Sequence, residues 1–498
     1  MPNPLIMPLP VKARGAEIFA PLAHLPMSIL LESALVVPGF SRYSFIMTKP
    51  FLQVQAKGQK LVLRDEEGRE WTEEGNPLEL LRNLLRHYQY PSGGCPLPFC
   101  GGAAGFISYD LGRQLERLPS RALDDLSTPD FYLGFYDTAL VVDELSREVF
   151  LVATGLPEKE PRQAQKRALA RAAELSELIR NITPLPPPRP LPAQECPLYA
   201  HFDASSYCEA VIRAKEYIAA GDIFQVNLSQ RFSLPRLFDP REVYLRLRAI
   251  NPAPMAAYLN LGEWQIVSAS PERFLQVRNG RVETRPIKGT RPRGSDPVND
   301  ARMREELWHS EKDRAELTMI VDLERNDLGK VCRPGSVRVP ELFRLEEYAT
   351  VFHLVATVQG ELAPGKDLVD LIKAAFPGGS ITGAPKIRAM EIIEELEPVR
   401  RGIYTGSIGY LGFDGNADLS IVIRTLIFRK ERVYFQVGGG ITSDSDPYAE
   451  YLETLDKARA LVRAMGFDEE KVFRSLVLEK PGKEEGQPWE QPCSSTGA

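Results

Sequence analysis

Residues 256–285 read AAYLNLGEWQIVSASPERFLQVRNGRVETR, and this stretch decides the fold class. Four runs rich in β-branched and aromatic residues are predicted strands, at 256–261, 265–269, 274–277 and 281–285. Asn279-Gly280, between the last two runs, is a dipeptide typical of a two-residue hairpin turn. Because strands joined by tight turns pair antiparallel, the stretch predicts an α+β fold rather than a doubly wound α/β fold.

Strand and helix signals alternate through the rest of the C-terminal half. Further strands are predicted at 404–411, 419–428 and 432–437. Apolar residues at helical spacing predict helices at 300–323, 368–375, 386–396 and 447–465.

A proline-rich segment divides the chain. Residues 184–192 read PLPPPRPLP, which fits neither a helix nor a central strand and predicts an extended connector. We therefore expect an N-terminal region at 1–183, a connector at 184–200 and a catalytic region at 201–468. The last residues, 469–498, are predicted to be a short element followed by a disordered tail.

Composition excludes several classes of protein. The 498 residues carry 61 Lys and Arg against 67 Asp and Glu, and 43% are hydrophobic, which is typical of a globular chain. No long basic stripe favours nucleic acid, and no run approaches the ~20 apolar residues of a membrane span. The start of the chain lacks a secretory signal, so a cytoplasmic location is expected. The six cysteines are expected to be reduced thiols.

Two polar clusters carry chemistry. Glu272 follows a predicted strand, and Lys288 lies where another apolar strand ends, so its amine is a candidate nucleophile of lowered pKa. Glu450 and Glu453 share one helix face, and with an acid of another helix they are candidate Mg²⁺ ligands. The alternatives are a solvated turn lysine and a solvated acidic helix face.

Five ordered motifs resemble those of the chorismate-binding enzymes, the family that includes component I of anthranilate synthase and of aminodeoxychorismate synthase. The motifs are SPERF at 270–274, PIKGT at 286–290, DLERNDLG at 322–329, TGAPK at 382–386 and GGGI at 438–441. The resemblance covers about 205–465, and residues 29–33 and 105–112 match the family's N-terminal region more loosely. It implies two large, mostly antiparallel sheets packed as a sandwich, with helices outside and the active site in a cleft.

The same resemblance suggests which reaction is catalysed. Gln225 stands where isochorismate and salicylate synthases carry a water-activating lysine, which favours ammonia over water as the nucleophile. Lys288 stands where anthranilate synthases typically have alanine and aminodeoxychorismate synthases have lysine. We therefore expect amination of chorismate at C4, on the route to 4-aminobenzoate and folate. The alternative is anthranilate synthase, which makes anthranilate and pyruvate.

By resemblance, each motif residue acquires a role. Lys288 attacks the chorismate ring, Glu272 protonates the departing hydroxyl, and His353 is catalytic or orienting, with a core histidine as its alternative. We expect Lys288 to lose its proton because its stem is buried and because Arg291 and Arg293 repel its charge. Glu316, Glu450 and Glu453 are implied to hold Mg²⁺. The implied substrate-binding residues are Thr290, Tyr404, Arg424, Gly438, Gly439, Gly440, Ile441 and Lys457.

Two further implications concern regulation and partners. Leu31, Glu32 and Ser33 match the tryptophan-sensing motif of anthranilate synthases, so they mark a candidate tryptophan pocket, either for feedback inhibition or as a structural relic, the second being favoured. No cysteine lies in the G-x-C-x-G setting of a glutaminase, so ammonia is expected either free or from glutamine through a separate amidotransferase subunit.

Overall fold

The protein is described here by a computed structural model that covers residues 4–90, 95–180, 182, 184–185, 196–348 and 351–479. Most of the predicted connector, at 186–195, and the predicted tail at 480–498 lie outside the described residues. No helix within the described ranges is both long and apolar enough to cross a membrane.

The strands of the described chain are given in sequence order: β1 (Leu5–Lys12), β2 (Ser28–Glu32), β3 (Tyr43–Met47), β4 (Leu52–Lys57), β5 (Lys60–Asp65), β6 (Glu70–Glu74), β7 (Gly102–Ile107), β8 (Phe131–Tyr136), β9 (Thr138–Asp143), β10 (Glu148–Ala153), β11 (Leu198–Ala200), β12 (Gln225–Pro235), β13 (Met255–Asn260), β14 (Trp264–Ser270), β15 (Arg273–Arg278), β16 (Arg281–Arg285), β17 (Ile287–Pro292), β18 (Arg338–Glu347), β19 (Val351–Glu361), β20 (Gly383–Ala384), β21 (Ser407–Gly412), β22 (Ala417–Ile421), β23 (Thr425–Arg429), β24 (Arg432–Ile441) and β25 (Leu476–Leu478).

The helices follow in the same way: α1 (Gly15–Phe19), α2 (Pro77–His87), α3 (Pro161–Leu178), α4 (Ala204–Ala219), α5 (Pro240–Ile250), α6 (Pro297–Trp308), α7 (Glu311–Gly329), α8 (Leu368–Ala375), α9 (Lys386–Leu396), α10 (Pro447–Ala464) and α11 (Glu469–Arg474). A short 3₁₀ turn, Gly379–Ile381, precedes β20.

Two large sheets form the frame. One runs in the order β1-β10-β9-β3-β2-β13-β14-β23-β24-β12-β11-β25, and β20 pairs with β12. The other runs β17-β19-β16-β15-β22-β21-β7-β8-β4-β5-β6, and β18 pairs with β19. The pairings are antiparallel except for the parallel pair β11·β25, so the predicted α+β class is confirmed.

The sheets pack face to face, and helices cover the outside. One core joins Phe45 and Ile266 of the first sheet to Phe106 and Leu419 of the second. A second core lies between the other face of the first sheet and α1, α3, α5 and α10. The predicted sandwich with external helices is therefore confirmed. Each sheet takes strands from both sides of the proline-rich segment, since β2 pairs with β13 and β7 with β21.

Local signals were accurate where the turn chemistry was plain. The hairpin at Asn279-Gly280 is present, with φ of 50° and 78° at these residues. The predicted single strand at 419–428 is wrong, because Arg424 adopts a left-handed φ of 53° and separates β22 from β23. The predicted single helix at 300–323 is also wrong. It divides into α6 and α7 where Ser310 caps α7, its Oγ accepting from the Asp313 N–H at 3.2 Å.

One cysteine prediction needs correction. The structure joins Cys95 and Cys100 in a disulfide, with their Cα atoms 6.4 Å apart, whereas reduced thiols were expected. Four residues lie between the two cysteines, and Cys100 is fully buried in the core between the sheets, where closeness follows from the fold rather than from the spacing.

Candidate active site

Lys288 belongs to the second sheet, and its Nζ lies 3.5 Å from where a Cβ at Gly440 of the first sheet would be. It belongs to β17, and the β17·β19 register shifts between Lys288 and Thr290, so Gly289 forms an irregularity with φ of 72°. A Cβ at Gly289 would lie 2.8 Å from Leu307 and 2.9 Å from Asp313, so a side chain here would be strained and crowded. Lys288 Nζ donates to the main-chain carbonyl of Ser380 at 3.2 Å.

The surroundings of Lys288 favour its neutral amine. Burial is the largest effect that lowers the pKa of Lys288, and the like charge of Lys457 adds to it, while Glu316 and Glu272 oppose the shift. The lowered pKa predicted from the sequence is confirmed.

The repulsion predicted from Arg291 and Arg293 is wrong. Arg291 pairs with Glu306 at 2.8 Å and Asp313 at 3.1 Å, and Arg293 pairs with Asp300 at 2.7 Å. Their charges are therefore matched locally, and the repelling charge comes from α10 instead.

Glu272 is placed between β14 and β15 with 4% of its surface exposed. Burial raises the pKa of Glu272 to about 7, although the polar groups of Ser380 and Ile287 and the charge of Lys288 oppose that rise. The raised pKa expected for a general acid is confirmed. Glu272 and Lys288 thus share one buried neighbour, Ser380.

His353 is buried on β19 beside Thr290. Its Nδ1 lies 2.9 Å from Thr290 Oγ1, and its ring meets the Tyr348 ring edge-on with centroids 5.1 Å apart. Burial, helped by the nearby charge of Arg424, lowers the pKa of His353 to about 4, so the ring is neutral at pH 7. A neutral ring can accept or donate a hydrogen bond at Nδ1, according to its tautomer.

Two basic side chains, Arg424 and Lys457, connect β24, α10 and the turn before β23 through hydrogen bonds to main-chain carbonyls. Arg424 donates to the Lys457 carbonyl at 2.6 Å, and Lys457 Nζ donates to the Gly438 carbonyl at 2.8 Å. Burial lowers the pKa of Arg424, with the hydroxyl of Tyr404 and Glu453 opposing the shift. No carboxylate of the described chain lies within 4 Å of the Arg424 guanidinium, so its charge remains available to an anionic ligand.

The three glycines of β24, Gly438–Gly440, carry no side chains, so this part of the strand adds no bulk to the cleft. β24 pairs with β23 only as far as Phe435, so beyond it one edge of residues 438–441 has no strand partner in the described chain. Cβ atoms would meet Gln225 at Gly440, the Leu228 carbonyl at Gly438 and the Glu450 carboxylate at Gly439. Ile441 differs, because its side chain is buried in the core under α4 and α9.

Three carboxylates lie close to the glycines of β24. At Gly439, a Cβ would lie 3.0 Å from Glu450 Oε2 and 3.8 Å from Glu453 Oε1, so both acids of α10 face the strand. Glu316 of α7 accepts from Gln225 Nε2 at 3.2 Å. Burial raises the pKa values of Glu450 and Glu316, whereas Lys457, 2.6 Å from Glu453, lowers the pKa of Glu453.

The donor set suits Mg²⁺, which takes oxygen ligands and usually only one or two carboxylates, with substrate and water completing its shell. The described residues hold no group of three or more His, Cys, Asp or Glu side chains placed for a single ion. Direct ligation by one or two of these glutamates therefore fits better than ligation by all three.

Sequence reasoning missed two residues at this site. Ser380 contacts both Lys288 and Glu272, and Lys312 of α7 exerts its charge on Glu316, Glu450 and Glu453. Ser380 lies two residues before the TGAPK motif at 382–386, which was the one available signal. Lys312 had no signal, since its role depends on how α7 faces α10.

The candidate tryptophan residues lie elsewhere, in a cavity of about 640 Å³ between the two sheets. Leu31, Glu32 and Ser33 all line it. The Glu32 carboxylate is already engaged, since it accepts from the Tyr244 hydroxyl and from Arg248 Nε at 2.9 Å. This cavity is separate from the residues around Lys288.

Comparison with known proteins defines the class. Residues 38–463 match the family model described as chorismate binding enzyme, so the chain belongs to the chorismate-binding enzymes. It is 43% identical to aminodeoxychorismate synthase component 1 of Klebsiella aerogenes, over 93% of this chain and 100% of that protein. It is also 43% identical to anthranilate synthase component 1 of Thermus thermophilus, over 88% of this chain and 92% of that protein. The crystal structure of anthranilate synthase component I from Streptococcus pneumoniae superposes with a TM-score of 0.75 at 33% identity, covering 86% of this chain and 93% of that one.

Proposed function

We propose that this chain aminates chorismate at C4 to give 4-amino-4-deoxychorismate, as an aminodeoxychorismate synthase component I. One observation carries the proposal. A buried lysine of lowered pKa, Lys288, shares a neighbour with a buried acid whose pKa is about 7, Glu272. A neutral amine beside a protonated carboxyl is the pair that covalent displacement of a hydroxyl requires.

The proposed first step forms a bond between Lys288 Nζ and C2 of the chorismate ring. Both conjugated ring double bonds shift as the C4–O bond breaks, and Glu272 gives its proton to the departing hydroxyl, which leaves as water. Ammonia then bonds to C4, both double bonds shift back and the C2–N bond to Lys288 breaks. The proton lost by the incoming nitrogen restores the Glu272 carboxyl, so the enzyme ends as it began.

The remaining residues are proposed to bind and orient the substrate. The Arg424 guanidinium, without a carboxylate partner in the described chain, would hold a substrate carboxylate, with Tyr404, Thr290 and the 438–441 main chain beside it. One or two of Glu450, Glu453 and Glu316 would hold Mg²⁺ directly, with water and substrate oxygens completing its shell. When bound, Mg²⁺ would neutralise the ring carboxylate and polarise the ring.

Ammonia is the proposed nucleophile because Gln225 supplies no base for water. Its amide nitrogen donates to Glu316, and its side chain is 1% exposed beside Gly440. The Klebsiella relative is called component 1, which supports the existence of a second component. We propose that this partner is a glutamine amidotransferase that supplies the ammonia.

Product identification tests the proposal. Purified protein is incubated with chorismate, Mg²⁺ and an ammonium salt, and the products are separated and weighed by mass spectrometry. Aminodeoxychorismate without pyruvate is expected. Anthranilate with stoichiometric pyruvate would instead establish the anthranilate synthase reaction, which the equal identity to the Thermus relative makes the direct competitor.

A further inference from the structure

Arg401 is a buried arginine that contacts three separate segments of the candidate active site. It follows α9, and its side chain is 1% exposed. Its Nε and Nη2 form a fork with the Glu397 carboxylate, at 2.9 and 2.7 Å. Nη1 donates to the Ile381 carbonyl at 2.9 Å and to Thr405 Oγ1 at 3.3 Å, and Nη2 donates to the Asn227 carbonyl at 2.7 Å. All five N–H donors of the guanidinium are therefore used.

The first contact reaches the turn that holds the proposed nucleophile. Lys288 Nζ donates to the main-chain carbonyl of Ser380 at 3.2 Å, and the next carbonyl along the chain, that of Ile381, accepts from Arg401. Both carbonyls belong to the 3₁₀ turn Gly379–Ile381, whose residues are all buried. Because adjacent peptide groups move together, Arg401 helps to fix where the acceptor of the Lys288 amine lies.

The other contacts reach β12 and the segment before β21. Asn227 lies two residues after Gln225 on β12, and its carbonyl accepts from Arg401. Thr405 follows Tyr404, and the centre of the Tyr404 ring lies 5.8 Å from the guanidinium carbon of Arg401. Thr405 has a left-handed φ of 58°, a rare and costly conformation for a β-branched residue, so this segment persists only because its surroundings hold it.

We propose that Arg401 is a positioning residue whose guanidinium fixes three site residues relative to one another: Gln225, Tyr404 and, through the turn that accepts from its amine, Lys288. The inference rests on the proposed function, because it assigns a task within that reaction. No hydrogen bond in the described chain joins Arg401 to Lys288 itself, so its task is not catalytic in the strict sense. A displacement of about 1 Å between reacting groups can slow a reaction on the order of 100-fold, so a shared anchor for these segments matters to the rate.

The position of Arg401 is itself fixed. Glu397 Oε1 also accepts from the Ser229 N–H at 2.9 Å and from the Ser229 hydroxyl at 2.7 Å, on β12. The guanidinium carbon lies 4.9 Å from the centre of the Tyr109 ring. A lysine in place of Arg401 would keep a positive charge opposite Glu397. Its ammonium has only three donors in a compact group, so it cannot reach all the acceptors that the planar guanidinium reaches.

Two variants and one control test the inference. Arg401→Lys keeps the charge and removes part of the contacts. A double variant, Arg401→Met with Glu397→Leu, removes both charges together, so no buried charge is left unpaired and the fold should survive. Arg167→Lys is the matched control, because Arg167 of α3 forms the same kind of fork with Glu66, at 2.8 Å, and its Nε donates to Asp137, outside the site.

The readout is the steady-state consumption of chorismate with Mg²⁺ and ammonium, measured well below the melting temperature of each variant. We expect kcat to fall roughly tenfold in Arg401→Lys and on the order of 100-fold in the double variant. The KM for chorismate should change by less than about threefold, because Arg424 keeps its own contact with the Lys457 carbonyl. Arg167→Lys should keep the wild-type kcat, whatever its melting temperature.

Wild-type kcat in a folded Arg401 variant would overturn the inference, and so would an equal loss of kcat in Arg167→Lys. If neither Arg401 variant folds, the arginine serves the fold alone and the positioning role is rejected as well. The two proposals fail separately. Formation of anthranilate and pyruvate by the wild type would disprove the proposed function, whereas the rate of chorismate consumption would still decide whether Arg401 positions the site.

Discussion

Thr290 Oγ1 and His353 Nδ1 lie 2.9 Å apart across the β17·β19 pair, two residues beyond Lys288. The contact ties the end of the nucleophile's strand to a buried ring that carries no charge at pH 7, because burial holds the pKa of His353 near 4. His353 therefore orients its neighbours through a hydrogen bond rather than through charge.

This neutral ring predicts how stability depends on pH. The pKa of His353 is about 4 when folded against ~6.5 when unfolded, so its contribution is complete above pH 6.5 and is lost as the pH falls towards 4. The loss is on the order of 3 kcal/mol. In His353→Gln, the urea midpoint should therefore fall less between pH 7 and pH 4.5 than in the wild type. Parallel pH curves for the two proteins would contradict a buried neutral histidine.

Lys288 should be trapped as a covalent adduct. With chorismate and Mg²⁺ but no ammonia, intact-mass analysis should show the protein plus chorismate less one water, because the second step lacks its nucleophile. Peptide mapping should place the adduct on Lys288, and Lys288→Ala should lose it while Lys60→Ala, an exposed residue of β5, keeps it. Full ammonia-dependent activity in Lys288→Ala, without any adduct in the wild type, would leave only direct addition of ammonia.

Glu453→Gln should weaken the dependence on Mg²⁺ without unfolding the protein. The change keeps the side-chain size and removes one charge from the face that α10 turns towards Gly439. We expect the Mg²⁺ concentration for half-maximal activity to rise roughly tenfold, which corresponds to the loss of about 1.4 kcal/mol of attraction. Glu470→Gln, an exposed acid of α11, is the control. An unchanged Mg²⁺ titration would remove Glu453 from the ligand set.

Gly289→Ala should disrupt the site through geometry alone. The left-handed φ of 72° costs any L residue about 1–2 kcal/mol, and contacts at 2.8 Å with Leu307 and 2.9 Å with Asp313 add to it. Gly262→Ala measures the first cost by itself, since Gly262 has φ of 77° and no atom within 4 Å of its Cβ position. Gly289→Ala should unfold at a lower temperature than Gly262→Ala and lose most activity. Equal melting temperatures for the two variants would show that the crowding is relieved at no cost.

Glutamine should support activity only when an amidotransferase subunit is added. The purified chain should aminate chorismate with ammonium salts and leave glutamine unchanged. Glutamine turnover by the chain alone, measured as glutamate release, would contradict the proposed division of labour.

The sequence predicted those turns and helices that depend only on residues close together along the chain. The Asn279-Gly280 hairpin and helices α8, α9 and α10 follow from local turn chemistry and periodicity, and the ordered motifs identified the site residues by resemblance. The sequence could not tell which charges are already matched. Arg291 and Arg293 seemed to repel Lys288, yet acids of α6 and α7 neutralise them, while Lys457 approaches from α10. Ser380 was missed because it contacts Lys288 through its main-chain carbonyl, which the residue type does not reveal.

The pairing of β7 with β21 has a consequence for how the protein is made. Ile107 finds its partner Ser407 only after roughly 300 further residues have been synthesised. At ~5–20 residues per second, that delay is about 15–60 s, during which one edge of β7 remains open. Open strand edges recruit other chains, so the nascent N-terminal half depends on chaperones or on rapid completion of the chain. Residues 1–183 expressed alone would keep that edge open permanently and should aggregate, whereas supplying residues 196–479 as a second fragment should rescue them.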